Sequence, residues 1–107
     1  MLAALIFAPD REMASWANEA AGTLQDLCVY KTLHSHPAQK ELDQLVNIFS
    51  PEVVLLELEP AEPALAAIRE IRSGYPKTAI LGLLRHKSPE IEGQALEAGA
   101  SEVLILH

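Results

Sequence analysis

Residues 51–60 read PEVVLLELEP, and the fold turns on them. Val53 to Leu56 form a continuous apolar run bounded by Pro51 and Pro60. A continuous run of this length, as opposed to an alternating one, suits a strand of a parallel sheet that is covered on both faces. The run ends at an acid, Glu57, followed by Leu58, Glu59 and Pro60. In an open α/β sheet the functional crevice lies beyond the carboxyl ends of the strands. Glu57 therefore becomes the first residue to examine.

Working outward, the same grammar repeats. Leu2 to Ala8 (LAALIFA) is a second apolar run, stopped by Pro9-Asp10. Asp10 is placed to cap a helix whose apolar positions are Met13, Trp16, Ala17, Ala20 and Leu24. Leu27 to Leu33 (LCVYKTL) is β-rich and runs into HSHPAQK, where Pro37 marks a turn or a first helical position. Leu42, Leu45, Val46 and Phe49 then follow helical spacing over about residues 38–49. After EVVLLEL, Ala64, Leu65, Ile68 and Ile71 predict a helix closed by SGYP, with Gly74 as its cap. TAILGLL is a fourth strand. Ser88 and Pro89 open a helix, Glu90 and Glu92 complement its dipole, and Gly99 ends it. SEVLILH is the fifth strand. Five strands alternating with four helices imply right-handed crossovers and a parallel sheet flanked on both sides.

Composition narrows the function. The 107 residues suffice for one domain with a real core, and half of them are apolar. A net charge of -7 repels phosphate backbones and anionic lipid, which argues against nucleic-acid or membrane binding and for a protein partner. Cys28, the single cysteine, sits in an apolar run and reads as a buried, inert thiol. The amino terminus lacks a basic region and a cleavage site, so a cytoplasmic location is expected. No phosphate-binding loop, dinucleotide fingerprint or nucleophile elbow occurs, and no enzymatic activity is expected.

Three stretches resemble the receiver domain of two-component response regulators. PEVVLLELEP resembles the phosphoacceptor strand, IREIRSGYPKTAILGLL the following helix and strand, and ALEAGASEVLILH the closing segment of the family. The resemblance spans essentially the whole chain. It implies a flavodoxin-like (CheY-like) three-layer sandwich with strand order 2-1-3-4-5, in which no residues remain for the family's fifth helix. It also implies that residues 1–107 are the amino-terminal portion of a longer protein. Receiver-like domains with degraded acidic pockets are found ahead of the MinD/ParA-type ATPases of Tad-pilus assembly, which offers one context.

An active receiver is a magnesium-assisted phosphoryl acceptor, and the resemblance places its parts residue by residue. The metal-binding acid pair falls on Ala8 and Pro9, with only Asp10 adjacent. Alanine and proline side chains offer no oxygen to a hard cation, so neither metal nor cofactor is expected. Glu57 takes the acceptor position, where it is a permanent partial mimic of the phosphorylated state, a solvated or locally hydrogen-bonded acid, or a surviving acceptor. The hydroxyl and lysine positions fall on Leu84 and Leu106, which supply neither a hydrogen bond nor a counterion. Arg85 and Lys87 are nearby cations that either substitute for that lysine or, as their loop position before Ser88-Pro89 favours, are solvated charges.

His34, His36, His86 and His107 invite a metal reading, but the expected strand order separates the first two from the others. Glu57, Glu59 and Glu62 form a solvated face or dock a basic partner patch. The expectation is a phosphorylation-independent receiver-like module for protein interaction, dimerisation or localisation. The alternative is a divergent phosphoacceptor controlling an attached output domain. An uncovered pair on the last strand, Leu104 with Leu106 or Val103 with Ile105, further predicts self-association of the isolated domain as a homodimer.

Overall fold

The computed structural model describes residues 2–24 and 26–106. The strands are β1 (Leu2–Phe7), β2 (Leu27–Leu33), β3 (Val53–Glu57), β4 (Ala79–Leu84) and β5 (Glu102–Ile105). The helices are α1 (Arg11–Gly22), α2 (Gln39–Phe49), α3 (Ala61–Gly74) and α4 (Pro89–Ala98). All strand pairs are parallel, in the order β2-β1-β3-β4-β5. The expected sheet order is thus the observed one.

The continuous apolar runs belong to the strands with two neighbours. Leu5, Ile6, Phe7, Val54 and Leu56 are completely buried. Side chains alternate between two clusters on either side of the sheet. Leu5, Phe7, Val54 and Leu56 join α2, α3 and α4 residues such as Leu42, Ile68 and Ala95. Ala4, Ile6, Leu55 and Leu83 join Met13, Ala14 and Ala17 of α1. Three helices therefore cover one face and, among the described residues, one covers the other.

Local corrections have local causes. Leu24 is not part of the apolar stripe of α1. Thr23 ends that helix, its N–H reaching the Ala20 carbonyl and the Leu24 N–H that of Ala21, and Leu24 is left exposed beyond it. Gly74 is the last residue of α3 and not its cap; Tyr75 caps the helix with φ -139° and ψ 71°, its N–H 2.7 Å from the Ile71 carbonyl. Cys28 is half-buried, because β2 is an edge strand and none of its residues is fully enclosed. Ser88 caps α4 as expected, accepting from the Ile91 N–H, with Pro89 in the first turn. Asp10 caps α1 and accepts from the Glu12 N–H at 2.9 Å.

Candidate functional site: a self-paired acidic pocket

Because β1 and β3 are neighbours and β4 lies beyond β3, their carboxyl ends bring Ala8, Asp10, Glu57 and Arg85 to one edge of the sheet. Glu57 is not a solvated acid. It is only 6% exposed, and its Oε1 accepts the Asp10 backbone N–H at 3.0 Å. The chain does not leave the sheet at this acid: Leu58 is fully buried and its N–H bonds the Leu83 carbonyl at 2.9 Å. Burial raises the Glu57 carboxyl above the usual carboxylate range, an effect that the Asp10 N–H partly offsets.

Arg85 corrects a second expectation. It is not a solvated loop charge: one guanidinium nitrogen bonds Asp10 Oδ2 and the other lies 2.9 Å from Glu12 Oε1. Its guanidinium also stands 4.9 Å from the centre of the Trp16 ring, within cation–π range. The Arg85 hydrogen bond, followed by that from the Glu12 N–H, holds Asp10 below its ordinary value. Asp10 is thereby both a helix cap and the carboxylate partner of the cation that follows β4.

His36 supplies the remaining tie. Its Nε2 lies 2.5 Å from the Glu57 carbonyl oxygen, so this nitrogen carries the proton and donates. The ring is half-buried, and burial lowers its basicity against the smaller opposing effect of that carbonyl. Loops following β1, β2, β3 and β4 are thus joined through Asp10, His36, Glu57 and Arg85.

The remaining positions are apolar. Ala8 is fully buried, with its N–H bonded to the Leu33 carbonyl at 2.8 Å. Leu84 is 1% exposed and packs on the three-helix side, while half-buried Leu106 packs on the α1 side. The two meet through the Leu106 N–H and the Leu84 carbonyl, 2.8 Å apart, and not through side chains. A magnesium ion does not fit this donor set. Ala8 and Pro9 offer no side-chain oxygen, Asp10 bonds Arg85 and the Glu12 N–H, and Glu57 bonds the Asp10 N–H.

No family model and no curated protein matches the chain. Solved structures do. A protein of Burkholderia thailandensis E264 described as a pilus assembly protein (cpaE) superposes with a TM-score of 0.80 at 16% identity, over 98% of this chain and 85% of that one. The signal receiver domain of the response regulator NarL of Mycobacterium tuberculosis gives 0.78 at 20% identity, over 97% and 82%. A CheY-like protein (tadZ) of Pseudomonas aeruginosa PAO1 gives 0.78 at 13% identity, over 98% and 81%. The chain has the receiver fold.

Within the receiver fold, Arg85 and His36 have partners other than those that the sequence offers them. Arg85 directly follows β4, and its meeting with Asp10 depends on β1 and β4 both flanking β3, a long-range fact that no local pattern marks. His36 was weighed only against the other histidines, whereas its partner is a backbone carbonyl on β3.

Proposed function

We propose that this chain is a receiver-like module that works without phosphorylation and without enzymatic activity of its own, through contact with a protein partner or an attached output domain. The observation that carries the reading is the Asp10–Arg85 pair beside buried Glu57. A receiver's switch needs metal and phosphoryl charges to draw its loops together. Here an internal cation and internal carboxylates already tie those loops, which supports a module held in one state. One of the structural neighbours is described as a pilus assembly protein (cpaE), and this favours a role in localisation or assembly.

The test is an amide NMR titration with beryllofluoride and magnesium, repeated with acetyl phosphate. The expected spectrum is unchanged, because Leu84 and Leu106 offer no side-chain donor and Arg85 is already paired. Saturable shifts centred on Glu57 would replace this reading with that of a divergent phosphoacceptor.

A further inference from the structure

We infer that the groove between α2 and α3 receives a short basic and apolar segment of a partner protein, an inference that rests on the reading of the chain as an interaction module. The groove has a volume of about 380 Å³. Its walls include Leu42 from α2 and Pro63, Ala66 and Ala67 from α3, with His36 at one end and Glu70 at the side. Ala66 and Ala67 are small, so the two helices leave between them a trough wide enough for a branched or aromatic side chain.

Charge selects the occupant. Glu62, Ala66 and Glu70 succeed one another at i, i+4 and i+8, which aligns both acids along one side of the groove. Asp43 lies one turn beyond Gln39, a groove residue, and Glu41 stands in the first turn of α2. Against these four acids the two helices carry Lys40, Arg69 and Arg72, and Arg72 is turned away from the groove to the Gly99 and Pro76 carbonyls. Arg69 lines a separate recess towards α4 with Gln94 and Glu97. An apolar trough with an acidic rim favours a cationic segment, speeding its encounter and opposing acidic competitors. The groove also touches the pocket described above, because the His36 ring that forms its end bonds the Glu57 carbonyl. An occupant pressing on His36 acts on the backbone of the residue that holds the Asp10 N–H.

The experiment is an amide NMR titration of the whole chain with a capped peptide of alternating lysine and leucine carrying one central tryptophan. Saturable shifts are expected at Gln39, Leu42, Ala66 and Glu70, accompanied by His36 and the Asp10 amide. Exposed Ala66→Trp should fill the trough and abolish them, and Glu70→Lys with Asp43→Lys should weaken binding roughly three- to tenfold. Shifts gathered on Trp16, Leu104 and Leu106 would overturn the groove while leaving the interaction module standing. Binding that survives Ala66→Trp, or no saturable binding at all, overturns the groove alone, since the beryllofluoride titration tests the module reading separately.

Discussion

At the scale of single residues, Glu57 carries most of the consequence. An acid whose folded-state value is raised is most favourable to folding when protonated, so its contribution is present below its ordinary value of 4.5 and is lost as pH rises through the raised one. At neutral pH the buried carboxylate therefore costs stability. Glu57→Gln keeps the volume and an oxygen for the Asp10 N–H while removing the charge. Its melting temperature at pH 7 should exceed that of the parent by about 2 to 6 °C, and the gap should close near pH 4. Thermal melts at the two pH values check this; an unchanged midpoint at pH 7 would mean that the carboxylate is hydrated. For a solvated acid the substitution would leave stability alone, so the melts separate the solvated acid from the locally hydrogen-bonded one, and the bond from the Asp10 N–H agrees with the latter. His36, lowered by burial, acts in the opposite sense: its contribution is present above 6.5 and lost as pH falls through the lowered value. The mimic reading of Glu57 remains a separate matter, decided by partner binding of the same Gln variant.

At the scale of elements, the end of α4 shows how a local signal and a long-range one combine. Gly99 has φ +130°, a conformation that side chains with a Cβ rarely adopt, and an added Cβ would lie 2.8 Å from Cβ and Cγ of Arg72. Arg72 is itself committed: its Nε donates to the Gly99 carbonyl at 2.9 Å and its Nη1 to the Pro76 carbonyl at 2.7 Å. Gly99→Ala should cost about 2 to 4 kcal/mol, whereas Gly93→Ala, with open space around an exposed helical position, should gain about 0.5 to 1 kcal/mol. Urea denaturation of both variants checks the contrast. The stop at Gly99 was legible because glycine after a periodic run is a local signal, and so were the strands, whose apolar runs are continuous. The Arg72 clamp and the Arg85–Asp10 pair were not legible. Each joins residues far apart in sequence, and nothing in local periodicity marks which distant carboxylate or carbonyl a guanidinium will meet. Burial of Glu57 was hidden for a related reason: it depends on Leu58 staying in the sheet beside β4, a tertiary fact.

At the scale of the whole molecule, the two faces of the sheet are unequal. On the side that α1 alone covers among the described residues, Val53, Leu81, Leu104 and Leu106 are only half-buried. A recess of about 440 Å³ runs beside α1 between Trp16 and Leu106, and another of about 300 Å³ lies by Leu2, Leu27 and Leu81. Of the two expected pairs on the last strand it is Leu104 and Leu106 that face this side, while Val103 packs on the three-helix side. Completing the burial of two leucines regains roughly 2 to 3 kcal/mol on each copy, half of their full transfer value, and a two-fold contact counts it twice; set against the entropy of association, this favours a weak dimer at most. The net charge of -7 on each copy opposes this contact, and salt screens that repulsion over about 10 Å at 0.1 M. Sedimentation at ~100 µM should therefore show a monomer–dimer equilibrium that shifts towards dimer as salt is raised. Leu106→Asp should return the protein to monomer, and Ile105→Asp, on the alternate face of the strand, should leave the equilibrium in place. A compact monomer at every salt concentration, with no apolar surface detected by dye binding, would sink the idea.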